Sequence, residues 1–266
     1  MIRLFQRAQK ILIFGILATS AVTAMMLMAG EYAFAIFTVI AGLWVSWLAC
    51  MYSAIGAHQK LLSILYDKMQ PSAFMDAYGP IMNKVQKGSA MEAAMRAHMG
   101  NALAAMGNYR EALPWYESAC ARADVRLMQA ENRCRCYLAL NDIPRLKNEE
   151  AEWDKCLGEV KPARCAASQK ARKVLKIRCR LNEGTADTSD QIAIQEEKQN
   201  TNKRLHRAEM SLLLAKIYRL LGFHYAAVQE LTALTALNPE LECSREARIL
   251  LEELADEEQG TEGSAP

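Results

Sequence analysis

Four histidines, eight cysteines and one basic run are the residues in this sequence equipped to do chemistry. His58, His98, His206 and His224 stand alone. None belongs to an HExxH pair or has a second ligand at helical spacing, so they are expected to be solvated or packed. Cys134-Arg135-Cys136 is the densest thiol group, and Cys156, Cys165 or Cys179 could join it in a thiolate site. Those spacings match no zinc module, and no CxxC pair occurs. Scattered cysteines in helical sequence are expected to act as small apolar side chains in a reducing compartment. A P-loop, a dinucleotide fingerprint and a nucleophile elbow are all absent. GAHQK and GFHYAAV lack the glycine spacing that exposes successive N–H groups to a phosphate. The expectation is a non-enzymatic chain that uses no cofactor and no metal.

The basic run lies in residues 161–180. It holds Lys161, Arg164, Lys170, Arg172, Lys173, Lys176, Arg178 and Arg180 and no acid. A run of this kind can contact anionic lipid, nucleic acid or an acidic partner. The simpler reading is a solvated helix face, which is what charge runs on helices usually are. A formal net charge of +2 over 266 residues argues against nucleic acid as the main partner.

These residues must be positioned by helices. Only 13 Gly and 7 Pro are present, and Leu, Ala, Met, Glu, Lys and Arg dominate. Residues 11–29 form an apolar run without a charge; Gly30, Glu31 and Tyr32 interrupt it, and a second run follows to about Ile55. Each run is long enough to cross about 30 Å of hydrocarbon as a helix. A link so short predicts a transmembrane hairpin, since one continuous helix would place Glu31 in lipid. A cleaved signal peptide, with Ala33-Phe34-Ala35 as its site, is the alternative, but a second full span follows at once. Arg3, Arg7 and Lys10 precede the first span, and Lys60 and Lys68 follow the second. The positive-inside rule therefore places both termini in the cytosol. Gly42 and Ser46 are spaced for close helix contact. Trp44 and Trp47 fall mid-span, where packing on the partner helix is expected.

Beyond His58 apolar residues recur at three- and four-residue spacing, with Gly, Asn or Pro between groups. In the stretch 93–124 the pair Met99-Gly100 is large then small, Leu103 follows, Gly107-Asn108-Tyr109 makes a turn, and Ala112, Tyr116 and Ala119 line a second helix. Pro114 sits in the first turn of that helix, where proline is tolerated. Residues 208–240 repeat the pattern with Leu214-Ala215, Tyr218, Gly222, Ala227 and Pro239. This resembles the tetratricopeptide repeat, a 34-residue unit of two antiparallel helices. Moving 34 residues from the first unit gives a weaker second, with Cys134, Tyr137, Asn141 and Leu146 in the matching places. A third turn falls at Gly184, with the next helix starting near Thr188 or Ser189. Turns at 107, 141, 184 and 222 make an irregular array, closed by a capping helix over about 244–256.

The resemblance implies a concave face lined by the fifth, ninth and twelfth positions of each unit. Those positions are Ala97, Asn101 and Ala104, then Glu131, Arg135 and Leu138, then Leu212, Lys216 and Arg219. Ala97 stands where carboxylate-clamping members need Lys, so that partner class is not expected. A polar groove of Asn101, Glu131, Arg135, Lys216 and Arg219 is. The expected fold is all-α: a transmembrane helical hairpin, then an α-solenoid of antiparallel helix pairs like the tetratricopeptide array. Its divisions are a cytosolic N-terminus (1–10), the hairpin (11–57, with 11–55 in the membrane), juxtamembrane helices (58–90), the repeat domain (91–256) and a disordered tail (257–266). The expected role is a membrane-anchored adaptor at the cytosolic face, in the plasma membrane, for a protein or peptide. The alternatives are a membrane-assembly component acting through the hairpin, and contact of the basic segment with lipid or nucleic acid.

Overall fold

A computed structural model describes the backbone of residues 2–82 and 84–262 and the side chains of 9–82 and 84–257. The side chains of Arg3 and Arg7 and residues 263–266 of the expected tail lie outside the described residues. The described chain is all-helical, with no strand. Its elements are α1 (Ile2–Met28), α2 (Tyr32–Tyr66), α3 (Pro71–Met82), α4 (Ala90–Ala105), α5 (Tyr109–Ala112) with a 3-10 turn at Leu113–Tyr116, and α6 (Ala123–Ala139). There follow α7 (Ile143–Leu157), α8 (Pro162–Asn182), α9 (Thr188–Asn200), α10 (Arg204–Leu220), α11 (His224–Thr235) and α12 (Glu242–Glu262). The chain divides into two compact units, Met1–Ser63 and Ile64–Pro266. That division falls inside α2 and so cuts the segment 58–90 between them.

In the first unit, Gln9–Met28 and Tyr32–Tyr66 are long and apolar enough to cross a membrane. The first ends at Gly30, whose φ of 77° favours glycine. The N–H of Glu31 reaches Met26 O at 3.0 Å and that of Gly30 reaches Leu27 O at 3.1 Å, so the last carbonyls of α1 are satisfied before the chain turns. A Cβ on Gly15 would collide with Ser46, and one on Gly42 with Thr19. Thr38 Oγ1 donates to Met26 Sδ at 3.3 Å. Contact positions thus rise along α1 as they fall along α2. Small residues at these positions let the two backbones approach. Phe14, Leu17 and Trp44 instead point outward, at 75%, 63% and 64% exposed.

The second unit is built on one repeated turn. Gly107, Asn141, Gly184 and Gly222 have φ of 80°, 54°, 71° and 78°. Each ends its helix with the same two bonds. The N–H after the turn residue reaches five positions back (Asn108 to Leu103, Asp142 to Tyr137, Thr185 to Arg180, Phe223 to Tyr218) at 2.8–2.9 Å. The turn residue's own N–H reaches three back, at 3.0–3.1 Å. This Schellman arrangement needs a left-handed residue, which explains three glycines and one asparagine. Phe223 packs edge-on against Tyr218, the apolar contact that accompanies the motif.

Packing follows from these turns. α4 packs on α5, α6 on α7 and α10 on α11, but across the turn at Gly184 the expected third pair is not the main contact: α8 packs chiefly on α6, and α9 on α10. Gly100 faces Tyr116, where a Cβ would lie 2.6 Å from a ring carbon. Leu127, Cys134, Leu146, Trp153, Cys156 and Leu175 form the middle core, and Trp153 Nε1 donates to the buried Ser168 Oγ at 2.8 Å. Ile177, Ile194, Met210, Leu214 and Ile217 form the next core.

Four local readings change. The second helix of the first unit stops at Tyr116, so Ala119 is not helical. Pro114 supplies no N–H and tightens the chain into a 3-10 turn instead of continuing it. The N-cap of α9 is Asp187 rather than Thr188 or Ser189; its carboxylate accepts from Ser189 and Asp190 N–H, and Asp190 returns a bond. α3 packs against α4 and so belongs to the second compact unit rather than to a separate juxtamembrane segment. α12 remains helical to Glu262, so residues 257–262 do not belong to a disordered tail.

Candidate functional site

The beginning and end of the second unit are tied together. Tyr109, just after the first turn, donates its hydroxyl to Glu242 on α12. Arg245 Nη2 donates to Met106 O at 2.5 Å, and Asn238 Nδ2 to Met69 O at 3.0 Å. These bonds form a seam between the first helix pair and the last. Inside it lies a cavity of about 460 Å³. Its charged lining is Arg135 from α6, Arg178 from α8, Glu209 and Lys216 from α10, and Glu242 and Glu246 from α12. Leu138, Leu181, Leu212 and Leu213 supply the apolar wall.

Most of that charge is neutralised in place. Arg135 meets Glu209 at 3.1 Å, and Lys216 meets Glu246 at 2.5 Å. Burial alone would raise the Glu209 carboxyl. The Arg135 charge, with the contacts of His206, outweighs it and holds the group at about 2. Glu242 goes the other way: burial raises it, the Tyr109 hydrogen bond lowers it, and neighbouring Glu246 adds to the rise. Tyr109 is raised by burial and then by Glu242, so it stays a donor.

The structure separates the five expected groove residues. Arg135 and Lys216 line the cavity with Leu138 and Leu212. Asn101 does not; it donates to Tyr66 Oη at 2.9 Å and accepts from Tyr116 Oη at 3.0 Å. Tyr66 in turn meets His98 Nδ1 at 2.9 Å, so Asn101 stitches α4 to the end of α2 and to the 3-10 turn. Glu131 accepts from Arg164 at 2.6 Å, away from the cavity. Arg219 is clamped by Glu253 and Glu257 on α12.

The basic segment is divided as well. Arg172 pairs with Asp154, Arg180 with the buried Asp190, and Arg164 with Glu131. Arg178 faces the cavity. Lys161, Lys170, Lys173 and Lys176 remain exposed. The eight cations are therefore not one face. Arg178 lies six residues before its turn, as Asn101, Arg135 and Lys216 lie before theirs. Register alone could have placed it in the groove, but the surrounding charge run hid it.

The thiols are structural in character. Cys134, Cys136, Cys156 and Cys243 are buried, and burial pushes Cys134, Cys136 and Cys243 up to about 12. A thiol so raised is a poor nucleophile and a poor metal ligand near neutral pH. Among the described residues no group of three His, Cys, Asp or Glu side chains is arranged to hold a metal.

No family model, curated protein or solved structure matches the chain.

Proposed function

We propose that this chain is a membrane-anchored adaptor built from tetratricopeptide-like helix pairs, non-enzymatic, with both termini cytosolic. In this reading α1 and α2 form a transmembrane hairpin, and the paired helices form a short solenoid that recruits a protein or peptide. The observation that carries it is the fourfold recurrence of one helix-ending turn at the register of the repeat. The close approaches of Gly15 to Ser46 and of Gly42 to Thr19 support the hairpin. So do the outward Phe14 and Trp44, which need an apolar surrounding. Tethering raises effective concentration at the membrane and so strengthens a weak contact.

The partner side follows from which surfaces are left open. Asn182 is exposed at the cavity mouth, whereas Lys170 is exposed on α8 outside it. A photo-crosslinking residue at Asn182 in the full chain is expected to give a discrete protein adduct in cells, and one at Lys170 is not. Adducts at neither position contradict the adaptor reading. The exposed stripe of Lys170, Lys173 and Lys176 favours one alternative, contact with anionic lipid. Phosphatidylserine vesicles that hold the full chain's second unit only while those lysines are present would favour it.

A further inference from the structure

Two charged groups in the cavity lining have no ion-pair partner among the described residues. Arg135 and Lys216 each have a carboxylate partner, Glu209 and Glu246. Among the described residues Arg178 makes no ion pair, and Glu242 makes none with a cation. Both line the same cavity. Glu242 feels the charge of Lys216 and then that of Arg178, and Glu209 feels that of Arg178, without direct contact. One guanidinium fork and one carboxylate thus line a shared space with opposite charge and no ion-pair contact, the carboxylate accepting only from the neutral Tyr109 hydroxyl. An isolated charge in such a space is costly unless a ligand or solvent compensates it. The remaining wall is apolar: Leu138, Leu181, Leu212 and Leu213. A volume of about 460 Å³ lies within the range of small-molecule sites, about 300–1,000 Å³.

We propose that the cavity binds a small zwitterion of the amino-acid class. Its carboxylate sits on Arg178, its ammonium on Glu242, and its apolar stem lies against the leucines. The ligand adds no net charge, which suits a lining of three cations and three carboxylates. A simple anion would satisfy Arg178 and leave Glu242 as it is; a simple cation would do the reverse. Arg178 suits the carboxylate because its planar fork can donate two parallel bonds. The Tyr109 hydroxyl holds Glu242 toward the cavity, and Arg245 and Asn238 fasten the α11–α12 corner that carries it. This inference does not rest on the adaptor reading, because ligand titration and partner crosslinking can fail separately.

The test is calorimetric titration of the full chain in detergent micelles with L-leucine, with isovalerate (no ammonium) and with isopentylamine (no carboxylate). Saturable binding is expected for leucine, with each truncated analogue weaker by about ten- to a hundredfold, as loss of one charged hydrogen-bonded contact implies. Arg178→Gln and Glu242→Gln are each expected to weaken leucine by a similar factor with unchanged circular dichroism. The analogue comparison uses the unaltered chain, so it stands even if a variant fails to fold. No saturable leucine binding overturns the proposal. So does isovalerate or isopentylamine binding as tightly as leucine, or leucine binding unchanged in a folded Arg178→Gln chain.

Discussion

Tyr109 and Glu242 are 133 residues apart and share a hydrogen bond, the hydroxyl of one donating to the carboxylate of the other. The contact joins the turn after α4 to the first turn of α12. Tyr109→Phe removes only the donor. The expected loss is about 1 kcal/mol, the typical net worth of one hydrogen bond, with more for the charged acceptor. Hydrogen exchange should quicken at 106–109 and at the start of α12 and stay unchanged in α6 and α7. Uniform quickening, or none, would contradict the seam.

The Arg135–Glu209 pair gives a pH dependence with a definite sign. Glu209 is held at about 2 against an ordinary 4.5, so the fold favours its ionised form. Its stabilisation is complete above about 4.5 and drains away as pH falls toward 2. Glu209→Gln should flatten that slope and cost about 1 kcal/mol at neutral pH, because Arg135 opens partly to solvent. Glu242 has the opposite sign: it is raised, so its contribution is lost as pH rises. Glu242→Gln is expected to leave neutral-pH stability unchanged or higher. Urea unfolding at several pH values checks both.

Two glycines that look alike in sequence should respond differently for different reasons. Gly100 is helical and faces the Tyr116 ring, so Gly100→Ala overpacks the first helix pair and costs about 1–3 kcal/mol. Gly184 has a φ of 71° with nothing within 4 Å, so Gly184→Ala meets only backbone strain of about 1 kcal/mol. Combining Gly100→Ala with Tyr116→Leu, which removes the ring, should recover part of the first loss. Thermal melts of the three chains decide this.

These contrasts indicate what the sequence could and could not reveal. The turns at 107, 141, 184 and 222 were legible because a left-handed backbone demands Gly or Asn, a constraint written at single positions. The two apolar helices were legible for a similar reason: absence of charge over a whole run is local. The ion pairs were not. Arg164 finds Glu131 33 positions away, and Arg172 finds Asp154 18 away, so a run that reads as one basic face gives three of its eight cations to neighbouring helices. Register puts Arg219 in a groove, but α12 returns to clamp it with Glu253 and Glu257. Proline is tolerated in a first helical turn, yet the helix that Pro114 enters lasts only two turns. The seam depends on where α12 returns in space, which no local pattern encodes.

The exposed lysines of α8 offer a further check. Lys170→Glu with Lys173→Glu should alter stability by less than about 0.5 kcal/mol, as expected for solvated sites. Arg180→Gln should cost more, because it strands the buried Asp190 carboxylate; about 2–3 kcal/mol is expected. Equal losses would mean that the run acts as one surface after all.

The central claim is that α1 and α2 cross the membrane as a hairpin and leave the array in the cytosol. Cysteine accessibility tests it most directly, in full chains carrying Glu31→Cys or Lys60→Cys on a background where Cys50 and the other native cysteines are replaced. A membrane-impermeant maleimide applied to intact cells should label position 31, in the link between the helices, and should label position 60 only after permeabilisation. Labelling of position 60 in intact cells with protection of position 31 would reverse the orientation. Labelling of both in intact cells would contradict the membrane hairpin itself.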